Sequence, residues 1–380
     1  MLPTPILQFG TSRFLLAHVD LFVSEALQAS RAGAGDALGG ITVVQSTASP
    51  ASAARTAALA SGAGYPVRIR GIEGGQPVDR VQQATAVRQA LQAPSQWPGL
   101  RALLRGPDVQ VIVSNTADQG YALDAADQAA LLDADSPAPR SFPAKLLVLL
   151  HARWQGSPQA LLTLLPCELV ERNGDVLREL VQGLARQWAL PEASVHWLGT
   201  HCVWANSLVD RIVSEAIEPV GAVAEPYALW AIERQPGLVL PCRHPAIVLT
   251  DDLASHARLK LFLLNGGHTF LAERWQRDGR PATETVGQAL TDDALRAELE
   301  ALWRDEIIPV FAALGQGAQA RTYVDSVRER LQNPYLDHRL ADIAQNHAQK
   351  KQRRLAPIVA LAHEQGLRHA QPRLQAALAA

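Results

Sequence analysis

Apolar positions along this chain fall into two textures. The first begins with Ile6-Leu7-Gln8-Phe9, a short apolar run that stops at Gly10. Leu15, Val19, Phe22, Val23 and Ala26 then recur at helical spacing and predict a helix from about Phe14 to Ala29. Ile41-Thr42-Val43-Val44-Gln45, Val109 to Val113 and Ala160 to Leu165 are further short apolar runs, and they predict strands. Helical patterns lie between them at Lys145 to Trp154 and Asp175 to Trp188. The alanine-rich stretch from Ala48 to Ala63 reads as helix and loop. Strands alternating with helices imply βαβ units and a largely parallel sheet.

The second texture begins after a last predicted strand, Ala246 to Leu249. From there helical periodicity dominates through Leu259 to Glu273, Asp292 to Trp303, Ala318 to Leu331 and Leu336 to Ala348, and a final helix is expected from Pro372 to Ala380. A boundary near residue 252 follows. The expected fold is α/β, with a mostly parallel sheet domain over 1–252 and a mostly α-helical domain over 253–380. A length of 380 residues suits two domains.

Composition narrows the function classes. With 48% hydrophobic and 19% charged residues the chain is globular, and no apolar run reaches the roughly 20 residues of a membrane helix. A net charge of -2 argues against a protein that grips nucleic acid by neutralising phosphates. Cys167, Cys202 and Cys242 are too scattered for a disulfide framework, and no histidine spacing suits a metal. The segment from Met1 to Pro5 has no basic or long apolar stretch, so no secretory signal and a cytoplasmic location are expected. Of 35 basic residues only four are lysines, Lys145, Lys260, Lys350 and Lys351. In an arginine-biased chain a lysine is more often needed as one, because lysine can release its proton when desolvated and arginine cannot.

Two segments carry chemistry. The strand, then Gly10-Thr11-Ser12-Arg13-Phe14, then a helix, is the layout of a Rossmann-like turn that brings a pyrophosphate against backbone N–H groups. Only the first of the usual three glycines is present, so an ordinary strand-to-helix turn is an equal reading. No acidic residue follows the second strand. Gln45 can instead bond a ribose hydroxyl, and Arg55 can reach a 2′-phosphate, so NAD is expected and NADP stays open. Ser114-Asn115-Thr116 ends the third strand on the ligand-binding edge, and these residues either bond a nicotinamide ribose or start a turn.

The other segment is Lys260-Leu261-Phe262-Leu263-Leu264-Asn265-Gly266-Gly267-His268. On a regular α-helix Asn265 lies about 140° and His268 about 80° round from Lys260, so all three share one side. A lysine there can act as general base toward a hydroxyl, with Asn265 and His268 donating to the developing alkoxide. A surface lysine, a helix-ending Asn-Gly and a core histidine are the competing account. Glu168 is either a helix cap or a substrate contact, and Asp210 with Arg211 reads as an ion pair on a helix face or, with Asn206, as support for a site.

These blocks together resemble the polyol-specific long-chain dehydrogenase family, which includes mannitol dehydrogenases, fructuronate reductases and tagaturonate reductases. The resemblance is carried by Gln8-Phe9-Gly10 with Arg13-Phe14-Leu15, Ser114-Asn115-Thr116, Phe142-Pro143-Ala144-Lys145-Leu146 and Pro166-Cys167-Glu168-Leu169. It continues through Leu208-Val209-Asp210-Arg211, the spacing of Lys260, Asn265 and His268, Asn333-Pro334-Tyr335 and Lys350. Within the family the chain is most similar to the tagaturonate reductase (altronate oxidoreductase) branch. The resemblance implies a zinc-independent enzyme with a nicotinamide cofactor, a small sugar acid or polyol as substrate, and a site in the cleft between its domains. It implies Lys260 as general acid and base, Asn265 and His268 polarising the substrate oxygen, and Lys350, Asn206, Asp210 and Glu168 on the substrate side. It places the cofactor at Gly10, Ser12, Arg13, Phe14, Gln45, Ser114, Asn115 and Thr116. Lys351, outside these motifs, is expected at the solvated surface. The family usually has glycine where Ser12 stands, and the acidic residue after Ser-Asn-Thr is here the shorter Asp118.

Overall fold

A computed structural model of the protein describes residues 3–31, 33, 36–47, 50–116 and 120–379. Asp118 lies outside them. The chain divides into two compact units, one of 1–69, 80–224 and 228–253, the other of 254–380 with 70–79 and 225–227.

The first unit is built on six parallel strands: β1 (Ile6–Phe9), β2 (Ile41–Gln45), β5 (Val87–Gln92), β6 (Val111–Ser114), β7 (Leu162–Pro166) and β8 (Cys202–Trp204). The intervening β3 (Tyr65–Glu73) and β4 (Gln76–Ala84) belong to a separate sheet. The order β5-β2-β1-β6-β7-β8 reverses direction at β1, which pairs in parallel with both β2 and β6. Side chains alternate between two cores, as the pleat demands. Ile6, Ile41, Val43, Val111 and Val113 pack with Val19, Phe22 and Val23. Leu7, Phe9, Val44, Ile112 and Leu164 pack with Trp97, Leu100, Leu147 and Val181. Both faces are covered, which is why these strands read as unbroken apolar runs.

Three sequence expectations change here. The helix expected from Phe14 to Ala29 is two, Arg13–Leu16 and Val19–Arg31. β4, with Gln76, Asp79, Arg80, Gln82 and Gln83, is largely exposed and has no apolar face, so no hydrophobic run marks it; β3 alternates Tyr65, Val67 and Ile69 with Pro66, Arg68 and Arg70 and is buried on one face only. Asp210 lies on a strand, Ser207–Asp210, which runs antiparallel to Leu229–Glu233, so Asp210 and Arg211 do not stand on a helix face.

The second unit is helical around one core that includes Phe262, Leu263, Phe270, Trp303, Ile307, Phe311, Val324, Leu355 and Leu374. The helix expected over Leu336 to Ala348 does not form as one piece. The Asn333 side chain accepts from the Tyr335 N–H at 3.0 Å and holds a turn after the Gly317–Leu331 helix. Only Leu340–Ile343 is helical before Asn346, at φ 55°, opens a new helix, His347–Arg354. Lys350 owes its position to that second start. Among the described residues no helix is long and apolar enough to cross a membrane.

Candidate active site

In the first unit the cofactor-binding candidates gather at the carboxyl ends of β1, β2 and β6, where the strand order reverses. Gly10 sits at φ 118°, and a Cβ there would lie 2.6 Å from the Asn115 carbonyl oxygen. Its glycine is therefore required for the close approach of the β1 and β6 ends, before any ligand is considered. Ser12 caps the single-turn helix Arg13–Leu16, its hydroxyl accepting from the Leu15 N–H at 3.4 Å. Arg13 is exposed, and Phe14 is half-buried with its ring stacked 4.7 Å from that of His18.

The polar side chains of this edge are engaged with one another. Gln45 is buried; its Oε1 accepts from the Thr11 hydroxyl at 2.6 Å and its Nε2 donates to the Thr47 hydroxyl at 2.9 Å. Arg55 donates to the Thr11 carbonyl at 3.0 Å. Glu168, also buried, accepts from the Ser114 hydroxyl, the Thr116 N–H and the Thr116 hydroxyl at 2.9–3.0 Å. Burial raises its pKa against these hydrogen bonds, which lower it. Asn115 donates to the Cys167 carbonyl at 2.8 Å. The Ser-Asn-Thr block is thus tied to the residues after β7, and Glu168 fastens two strand ends.

Asn206 is similarly occupied. Its Nδ2 donates to Asp175 and Glu233, and its Oδ1 accepts from the Asp175 N–H. Asp210 is buried. Asn206 organises the start of the Asn173–Gln187 helix, a structural task the sequence pattern did not reveal.

In the second unit Lys260 and Asn265 bracket a π-helical segment, Lys260–Asn265, set between the α-helices Leu253–Leu259 and Gly266–Arg277. This changes the expected angles. An i→i+5 turn brings residue i+5 to the place that i+4 takes on an α-helix, about 40° round instead of about 140°. Three α-helical residues further, His268 falls within roughly 20° of Lys260. The extra residue in the turn therefore lines up Lys260, Asn265 and His268 more closely than a regular helix would.

A second π-helical segment, Leu302–Ile307, packs against the first. The buried indole of Trp303 donates to the Leu263 carbonyl at 3.1 Å. A Cβ on Gly267 would sit 3.2 Å from the same ring, so glycine permits this approach. Lys260 and Asn265 are half-buried and His268 is buried.

The His268 ring lies 4.7 Å from that of His338, edge-on. Burial, with a contribution from Lys350, lowers the His338 pKa, while Asp342 opposes the shift. Lys350 donates to the Ile343 carbonyl at 2.7 Å, and one turn on Arg354 donates to the Thr269 hydroxyl at 3.3 Å. Partial burial and the neighbouring Arg354 hold the Lys350 pKa below the usual lysine range. His338 lies in the irregular stretch before Leu340, where no periodicity marked it.

Lys351 corrects an expectation. It is buried and donates to Glu273 at 3.1 Å, while His347 approaches the same carboxylate oxygen at 2.8 Å. It is an internal ion pair, not solvated surface. Among the described residues no group of three histidine, cysteine or acidic side chains could hold a metal ion.

Comparison with known proteins covers both sets of residues. Residues 4–238 match the mannitol dehydrogenase Rossmann domain, and residues 252–380 match the mannitol dehydrogenase C-terminal domain. The altronate oxidoreductase of Halalkalibacterium halodurans is 32% identical over 377 residues, covering 94% of this chain and 70% of that protein. A substrate-free D-sorbitol dehydrogenase shares the fold with a TM-score of 0.81 at 22% identity, over 99% of this chain and 80% of that one. The Pseudomonas fluorescens mannitol 2-dehydrogenase, solved with NAD and D-mannitol, gives 0.70 at 18% identity, over 99% and 78%. With both family domains matched in order and nearly the full length covered by a relative at this identity, the chain belongs to the mannitol dehydrogenase family and is an oxidoreductase acting on CH–OH groups.

Proposed function

We propose that the protein interconverts a secondary alcohol and a ketone on a sugar acid, D-altronate and D-tagaturonate, using a nicotinamide dinucleotide. The observation that carries this reading is the π-helical turn Lys260–Asn265, which turns Lys260, Asn265 and His268 of the following helix toward one side, in a chain with altronate oxidoreductase relatives. The β1–β6 reversal fits a dinucleotide, because ligands of such sheets lie outside the strand ends at that point. When bound, the nicotinamide supplies or accepts the hydride.

The chain's own residues handle the proton and the charge. In the oxidative direction the Lys260 amine takes the proton of the substrate hydroxyl; in reduction the ammonium returns it to the forming alkoxide. Asn265 and His268 donate hydrogen bonds to that oxygen as charge develops. Lys350 pairs with the substrate carboxylate. Gly10, Ser12, Arg13, Phe14, Gln45, Ser114, Asn115 and Thr116 shape the cofactor edge, and Glu168, Asn206 and Asp210 serve the substrate side.

The test is direct. The protein is mixed with NADH or NADPH and a panel of keto-uronates and neutral ketoses, and the near-ultraviolet absorbance of the reduced nicotinamide is followed. Oxidation with tagaturonate ahead of fructuronate and fructose is expected. Turnover of neutral ketoses alone would replace the sugar-acid reading by a polyol one.

A further inference from the structure

Lys350, the partner proposed for the substrate carboxylate, does not stand alone. Lys350 and Arg354 lie four residues apart on the His347–Arg354 helix and so share one face. Both are half-buried. Their hydrogen bonds go to neutral oxygens: Lys350 donates to the Ile343 carbonyl at 2.7 Å, Arg354 to the Thr269 hydroxyl at 3.3 Å. Thr269 follows His268, and its own hydroxyl donates to the Asn265 carbonyl at 2.9 Å. The guanidinium therefore reaches the helical turn that carries the proposed chemistry. The Lys350 ammonium acts on His338, whose ring is 4.7 Å from that of His268.

Like charges at this spacing repel, and partial burial strengthens the repulsion. Burial and Arg354 lower the Lys350 pKa, burial lowers that of Arg354, and no carboxylate among the described residues offsets either shift. Other buried cations of this unit are treated differently. Lys351, the next residue, meets Glu273, and Arg330 meets Glu225 at 2.9 Å. Glu273, on the helix packed against this one, is held by Lys351 and His347. The exposed Asp342 bears on His338. Two adjacent, half-buried cations without an internal counter-charge suit an anion that arrives from outside. An ammonium is a point charge, whereas the planar guanidinium matches both oxygens of a carboxylate.

We propose that Arg354 joins Lys350 in a two-cation clamp on the substrate carboxylate, and that Arg354 thereby selects sugar acids over neutral sugars. The inference rests on the sugar-acid reading and adds a residue that the reading does not use. KM values of the whole protein for D-tagaturonate and for its neutral methyl ester test it, with the inhibition constant taken for an ester that does not turn over. The unaltered protein should favour the acid. Arg354→Gln keeps a donor for Thr269 and removes the charge. It should raise KM for the acid about 10- to 100-fold, the worth of a charge-assisted hydrogen bond, and leave the ester value and kcat nearly unchanged. Arg354→Lys keeps the charge without the fork and should give a smaller rise, again for the acid alone. That variant keeps the test open if the glutamine protein does not fold. Equal rises for acid and ester, or no rise for the acid, overturn the clamp and leave Arg354 a support for Thr269, with the sugar-acid reading intact. Turnover of neutral ketoses but of no keto-uronate by the unaltered protein overturns both.

Discussion

The carboxyl edge of the parallel sheet and the Lys260–Asn265 segment solve opposite problems. At the sheet edge, polar side chains from distant parts of the chain bond to one another: Gln45 to Thr11, Glu168 to Ser114 and Thr116, Asn206 to Asp175 and Glu233. The result is a rim cross-linked by side-chain hydrogen bonds. On the helical segment the three polar residues come from nine consecutive positions, and one extra residue in the turn sets their alignment. A rim built of long-range pairs is sensitive to stability. A line built into one turn is sensitive to chemistry.

The sharpest way to break that comparison is at Lys260. General acid–base assistance contributes roughly 10²- to 10⁴-fold, so Lys260→Ala should lose about that much kcat in steady-state assays. Cofactor affinity, read by titration, should stay near its original value. Lys260→Arg should do as badly, because a guanidinium does not release its proton near neutral pH. An arginine variant that keeps most of its turnover would reduce the lysine to a positive charge.

A smaller effect is expected at Lys350. Removing one charge-assisted hydrogen bond costs about 1.5–3 kcal/mol, so Lys350→Ala should raise KM for a keto-uronate about 10- to 100-fold. KM for a neutral ketose should move far less. Parallel increases for both substrates would make Lys350 part of the scaffold.

At the sheet edge the expected loss is in stability. Glu168→Ala removes the acceptor of three donors around Ser114 and Thr116. Leaving buried donors unpaired costs about 1–3 kcal/mol, which urea unfolding would show as a lower midpoint. An unchanged midpoint with lost activity would move Glu168 from the scaffold to the chemistry.

Gly10 shows how the structure redirects an experiment. A strand followed by a glycine turn suggests replacing Gly10 to block the pyrophosphate. At φ 118° with Asn115 against it, any side chain strains the fold itself. A loss of cofactor binding in Gly10→Val would not separate the two causes.

Local pattern determined much of this protein. Apolar runs located β1, β2, β6 and β7, helical periodicity located most of the second unit, and the ordered motifs placed the chain in its family. These signals are carried by residues within a few positions of one another, so the sequence displays them directly. Tertiary structure decided the rest. Trp303, forty residues from Leu263, packs over the segment whose π turn aligns Lys260, Asn265 and His268. Glu273 draws Lys351 inside, Glu168 ties the Ser114 block to β7, and the Phe142–Gly156 helix brings Lys145 to the ends of β2 and β6. Each depends on a partner that no local period encodes, because burial and charge pairing are settled only when distant segments meet.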